Sequence, residues 1–130
     1  MTLNAEDKIA IQELSVAYAN AMDAGDIAGW LETWADDGVW EGGAGRYEGK
    51  ERLAQVLPDL GNRIIGKRHI MSNFVIKRDG RGARQTCYLL IVDCSKNNLP
   101  TSAVYSDVLR KKNGQWLFVH RKVQIDQAPT

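Results

Sequence analysis

With 130 residues, 44% of them hydrophobic and 25% charged, the chain has the make-up of one ordinary globular domain, expected to span 1–130. The formal net charge is +1 and Lys and Arg are scattered, which argues against the basic stripe that nucleic acid demands. No apolar run approaches the ~20 residues that cross a bilayer, so neither nucleic acid nor membrane is expected as a partner.

The opening, Met1 to Asp7, is acidic and lacks the basic start and apolar stretch of a secretion signal. A helix is predicted over residues 5–24, because Ile11, Leu14, Tyr18 and Met22 recur at three- and four-residue steps. Asn4 can cap its start and Gly25 its end. Asp26 can cap a second short helix, residues 27–34, with Trp30 and Trp34 one turn apart. Asp36-Asp37-Gly38 reads as a turn before a brief strand at residues 39–41, and Arg46-Tyr47-Glu48 as its hairpin partner. A third helix is predicted from Lys50 to Leu57, with Pro58 forcing its end.

From Ile64 onward the pattern changes to four long strands, at residues 65–77, 85–94, 103–111 and 116–125. Asp79-Gly80-Arg81-Gly82, Lys96-Asn97-Asn98-Leu99-Pro100 and Asn113-Gly114 separate them as turns. Helices followed by an antiparallel meander predict an α+β fold, with helices packed on a curved, mainly antiparallel sheet around one internal pocket. Cys87 and Cys94 fall on one predicted strand, too far apart to bond while it stays extended, and read as reduced thiols of a cytoplasmic protein.

The order of these elements, with Tyr18-Ala19-Asn20-Ala21-Met22-Asp23, Trp34-Ala35-Asp36-Asp37-Gly38-Val39-Trp40, Gly45-Arg46-Tyr47-Glu48-Gly49-Lys50, Arg68-His69-Ile70-Met71-Ser72-Asn73 and Asn113-Gly114-Gln115-Trp116, resembles the SnoaL-like branch of the nuclear transport factor 2-like superfamily. The resemblance covers about Asp7 to Ile125 and implies the family's α+β cone. The pattern is most similar to scytalone dehydratase and hexachlorocyclohexane dehydrochlorinase. Their pocket aspartate falls on Asp23 and their histidine on His69, and the dehydrochlorinase's pocket arginine falls on Arg121. The dehydrochlorinase's pocket lysine falls on Tyr18, and the dehydratase's second histidine has no counterpart, so neither reaction transfers unchanged.

Neutral histidine offers one donating and one accepting nitrogen, which is what a general base needs, and a carboxylate on the donating side fixes the tautomer. Asp23 sits in the last turn of its helix, where the backbone carbonyls disfavour negative charge by ~0.3–1 kcal/mol. Placing a carboxylate there breaks a local rule and points toward function. The ordinary alternative is a solvated Asp23 and a His69 bonded to backbone.

Arg121, on the face opposite His120, can stabilise developing negative charge or stand exposed. Tyr18 can donate to substrate or serve the core, and Tyr105 and Asp107 share one strand face that can look inward. Met71 and Asn73 share His69's face as candidate pocket residues. Trp40 and Leu89 are candidate apolar lining, although Trp30, Trp34 and Trp40 all suit the core.

No metal-ligand spacing, phosphate loop, nucleotide fingerprint or serine elbow occurs, so no cofactor is expected. The reading is a cofactor-independent lyase or isomerase for a small hydrophobic or aromatic, cyclic ligand, assembled as a homodimer or homotrimer. The alternatives are a binding module without catalysis and a structural subunit like the small subunits of ring-hydroxylating dioxygenases.

Overall fold

The computed structural model describes residues 2–127; Met1 and residues 128–130 of the expected domain lie outside the described residues. Helix α1, Ala5–Ala24, starts with a reciprocal cap. The Asn4 side chain accepts the Asp7 N–H at 2.8 Å and the Asp7 carboxylate accepts the Asn4 N–H at 3.3 Å. Gly25 ends the helix at φ 67°, a left-handed conformation that lacks strain only without a Cβ.

Helix α2, Ile27–Leu31, stops three residues short of Trp34, which opens strand β1, Trp34–Gly42. The expected turn at Asp36-Asp37-Gly38 is therefore part of a strand. The register of β1 slips between Trp34 and Val39, and this irregularity leaves Asp36 and Asp37 in solvent while pairing resumes at Val39.

Strand β2, Gly45–Glu48, returns as the hairpin partner of β1. The single third helix expected next is two short ones, α3 (Gly49–Leu53) and α4 (Val56–Leu60), followed by a 3-10 turn over Gly61–Arg63. Pro58 does not end a helix. It lies in the first turn of α4, where a backbone N–H has no intrahelical acceptor to lose.

The four long strands are β3 (Lys67–Asp79), β4 (Gly82–Asp93), β5 (Asn98–Lys112) and β6 (Gln115–Ile125). They form an open six-stranded sheet in the order β2-β1-β6-β5-β4-β3, antiparallel except where β1 runs parallel to β6. Asn98-Leu99-Pro100, expected as turn, opens β5. Pairing with β4 is irregular there and pairing with β6 begins only at Ala103, so the missing N–H of Pro100 falls outside the regular ladder. Cys87 is buried within β4, Cys94 is exposed just beyond it, and the two are not bonded.

Helix α1 buries Ile11, Leu14, Tyr18 and Met22 in the core that also contains Trp30, Trp34, Leu109 and Phe118. Tyr18 is the hub of its aromatic part, with ring centroids at 5.5 Å from Trp30, 5.6 Å from Phe118 and 5.8 Å from Tyr105. Tilted and edge contacts of this kind contribute about 0.5–1.5 kcal/mol each beyond area burial. Across β4, β5 and β6, register sets paired rows on the inner face: Gln85–Asp107–Arg121, then Cys87–Tyr105–Val123, then Leu89–Ala103–Ile125. These rows decide which side chains reach the cavity.

Candidate functional site

A cavity of about 350 Å³ lies against the His69 end of β3 and the facing parts of α1, β4, β5 and β6. His69 is 7% exposed. Its Nδ1 lies 2.6 Å from Asp23 Oδ1, and its backbone N–H donates to Asp23 Oδ2 at 3.2 Å. Asp23 can present both oxygens because it sits at the end of α1, one residue before the helix closes at Ala24. With the neutral ring protonated at Nδ1 toward the carboxylate, Nε2 keeps its lone pair for the cavity that His69 lines.

Tyr18, Trp40, Leu89 and Tyr105, all candidates from the sequence, line the same cavity. The Trp40 indole N–H donates to Tyr18 Oη at 2.9 Å, and the Tyr18 and Tyr105 rings meet edge-on with centroids 5.8 Å apart. Tyr18 Oη is the acceptor in that bond, so its own hydroxyl proton stays available to donate. Burial holds both phenols above their ordinary range, Tyr105 well above it, so they act as neutral donors near pH 7.

Four other candidates stand away from the cavity. Arg121 is fully buried, as an inward position requires, but it belongs to the row on the far side of Tyr105 from Leu89. Its Nε and Nη2 donate to the two oxygens of Asp107 at 2.8 and 2.9 Å, and its guanidinium carbon lies 3.7 Å over the Tyr105 ring and 4.5 Å over Tyr18. Burial alone would lower its pKa, but the adjoining Asp107 carboxylate holds it above the ordinary guanidinium range. Asp107 is consumed by this ion pair and by Gln85, whose Nε2 donates to it at 2.8 Å. Neither residue touches the cavity. Cys87, 3.9 Å from Arg121 Nη2, is pushed by burial up to about 12 and is no nucleophile at neutral pH.

Met71 packs against the core rather than the cavity, two residues farther along β3 than His69. Asn73 is exposed. The ladder slips between Ser72 and Val75, Asn73 takes φ 57°, and this irregularity ends the alternation that would have kept it on His69's face. Trp30 and Trp34 belong to the core, as their spacing suggests.

Sequence reasoning missed Arg63, Lys67, Ile91, Thr101 and Val123, all of which line the cavity. Lys67 was within reach, since two-residue alternation puts it on His69's face. Ile91 and Thr101 pair with each other, and Ile91 with His69, but that register is invisible before the strands are aligned. Among the described residues no group of three or more His, Cys, Asp or Glu side chains gathers as a metal site. Among the described residues no helix is long and apolar enough to cross a membrane.

Comparison with known proteins agrees with this architecture. A Nostoc punctiforme PCC 73102 protein of unknown function with a cystatin-like fold is 35% identical, with 98% of this chain and 97% of that one covered and a TM-score of 0.93. A Novosphingobium aromaticivorans DSM 12444 protein described as a putative scytalone dehydratase is 19% identical, with 93% and 85% covered and a TM-score of 0.80. A Catenulispora acidiphila protein solved in complex with S-DNPA is 22% identical, with 95% and 96% covered and a TM-score of 0.84. At these lower identities the likeness shows the cystatin-like α+β cone alone. No curated protein matches the chain. The model of the SnoaL-like domain matches residues 4–122, and the chain belongs to that family, which includes polyketide cyclases and enzymes of the dehydratase and isomerase type.

Proposed function

We propose that the protein is a cofactor-independent lyase or isomerase acting on a small hydrophobic, cyclic substrate, with His69 as general base. The observation that carries this reading is a buried imidazole bound at Nδ1 to a carboxylate 2.6 Å away, beside an apolar cavity. In the proposed step Nε2 takes a proton from carbon, and the C–H electron pair moves into a new double bond or an enolate. Asp23 stabilises the imidazolium that results and holds the tautomer that makes Nε2 the acceptor.

Negative charge that builds on a carbonyl oxygen or a leaving group meets the hydroxyls of Tyr18 and Tyr105, which line the cavity. Arg121 takes no part by contact in this reading. Stacked on both tyrosine rings and tied to Asp107, it holds those rings in place. In an isomerisation the imidazolium returns its proton to a different carbon. In an elimination the leaving group departs with its bonding electrons, and His69 passes its proton on to solvent or to that group.

Incubating the protein with cyclic enones, alcohols and halides in deuterated water, with no added cofactor, tests the reading. Enzyme-dependent deuterium incorporation, or product formation, is the expected result by NMR. Tight binding of such compounds without exchange or turnover would make the domain a binding module instead.

A further inference from the structure

The cavity that serves as substrate site in the reading above has a one-sided charge. None of its lining residues is Asp or Glu, whereas Arg63 and Lys67 both lie on it. The two cations differ in what occupies them. Lys67 Nζ donates to the Asn62 carbonyl at 3.0 Å and lies 3.8 Å from Asp93, so most of its charge is answered. Arg63 is exposed and makes no hydrogen bond or ion pair among the described residues. Asp59, four residues earlier in α4, accepts the Tyr47 hydroxyl at 2.8 Å instead. A guanidinium on the rim of an apolar cavity, with no carboxylate of its own, matches a planar anion on an otherwise apolar ligand.

We infer that the substrate is a cyclic carboxylic acid, its ring in the cavity near His69 and its carboxylate at the rim on Arg63. This deepens the proposed function and rests on the cavity being the substrate site. The arrangement suits that chemistry: the apolar wall takes the ring, and the charged group stays where water still reaches it, so its desolvation cost is small. It also fixes which way round the ligand enters, presenting ring carbons rather than the acid to the base.

The test compares acids with their uncharged amides of the same shape, benzoate against benzamide and 2-naphthoate against 2-naphthamide, by calorimetry at low salt. The wild-type protein should bind each acid at least about threefold more tightly than its amide, the scale of a rim ion pair. The preference should shrink as salt is added and vanish in Arg63→Gln, an exposed substitution that leaves the core intact. Equal affinities, tighter amide binding, no binding of either pair, or a preference that survives Arg63→Gln would overturn the inference. Binding is read without turnover, so the two readings fail separately. An acid preference retained in His69→Ala supports the carboxylate site even if that residue proves not to be the base. Turnover of uncharged substrates by a protein that ignores the acid would overturn the carboxylate site and leave the base untouched.

Discussion

Asp23 grips His69 at two atoms, one carboxylate oxygen on the ring nitrogen at 2.6 Å and the other on the backbone N–H at 3.2 Å. The second bond ties the carboxylate to the backbone of β3, so the imidazole is oriented from a fixed strand by a group at a fixed helix end. An imidazole held this way loses little further freedom when a ligand arrives, which is the condition for a positioned base.

The buried ion pair beneath the tyrosines predicts an asymmetric stability response. Arg121→Met strands the Asp107 carboxylate in a dry core, and unpairing a buried charge costs about 3–5 kcal/mol. The double replacement Arg121→Met with Asp107→Leu removes both charges and should recover a substantial part of that loss. Urea unfolding of the three proteins checks this. A double variant no more stable than Arg121→Met would show that the pair's packing, rather than its charge balance, is what the fold requires.

Acid should weaken the start of α1. The Trp116 indole N–H at 3.1 Å, followed by the Asn4 backbone and Lys111, holds Asp7 below its ordinary carboxylate range. A depressed folded-state pKa gives stability that is fully present above the unfolded value, about pH 4, and is lost as pH falls through the folded value beneath it. Thermal unfolding of the wild type and Asp7→Asn from pH 7 down to pH 2 should therefore show a wild-type advantage that narrows below about pH 4. An advantage constant across that range would contradict the assignment.

The outer face of the sheet carries Ile70, Tyr88 and Leu90 well exposed, with Ile70 and Leu90 paired across β3 and β4. We propose that a second copy covers this stripe, in a homodimer or homotrimer. Light scattering at micromolar concentration should give a multiple of the 14.5 kDa chain mass. Tyr88→Glu with Leu90→Lys should shift it to monomer, and a wild-type monomer would defeat the proposal.

What could be read from residues alone follows a physical division. The 20-residue helix was legible because Asn4 and Gly25 are local signals that act within one turn. The acidic Asp36-Asp37-Gly38 misled because turn composition and a solvent-facing strand irregularity look alike locally, and only the pairing of β1 with β6 distinguishes them. Pro58 misled for a similar reason, since its effect depends on where a helix begins. At the site, helical spacing put Tyr18 on the inner face of α1 and alternation gave Tyr105 a face that could look inward, whereas His69 was singled out by the family resemblance. Residues alone left Arg121 open between an inward and an exposed position; its burial, and its distance from the cavity, depend on a row-by-row register that composition does not carry. Arg63 gave no signal, because a 3-10 turn at a cavity rim has no periodicity to read.

The measurement that bears most directly on the account is a double-mutant cycle at Asp23 and His69, on whichever cyclic compound the protein turns over. His69→Ala should lower kcat by about 10²–10⁴-fold, the worth of a positioned general base. Asp23→Asn should also be severe, because an amide can hold the wrong tautomer and cannot offset imidazolium charge. The double variant should be scarcely slower than the slower single one, since groups that act as a unit do not lose independently. Losses that multiply would mean the two residues act separately, and full activity in His69→Ala would contradict the account outright.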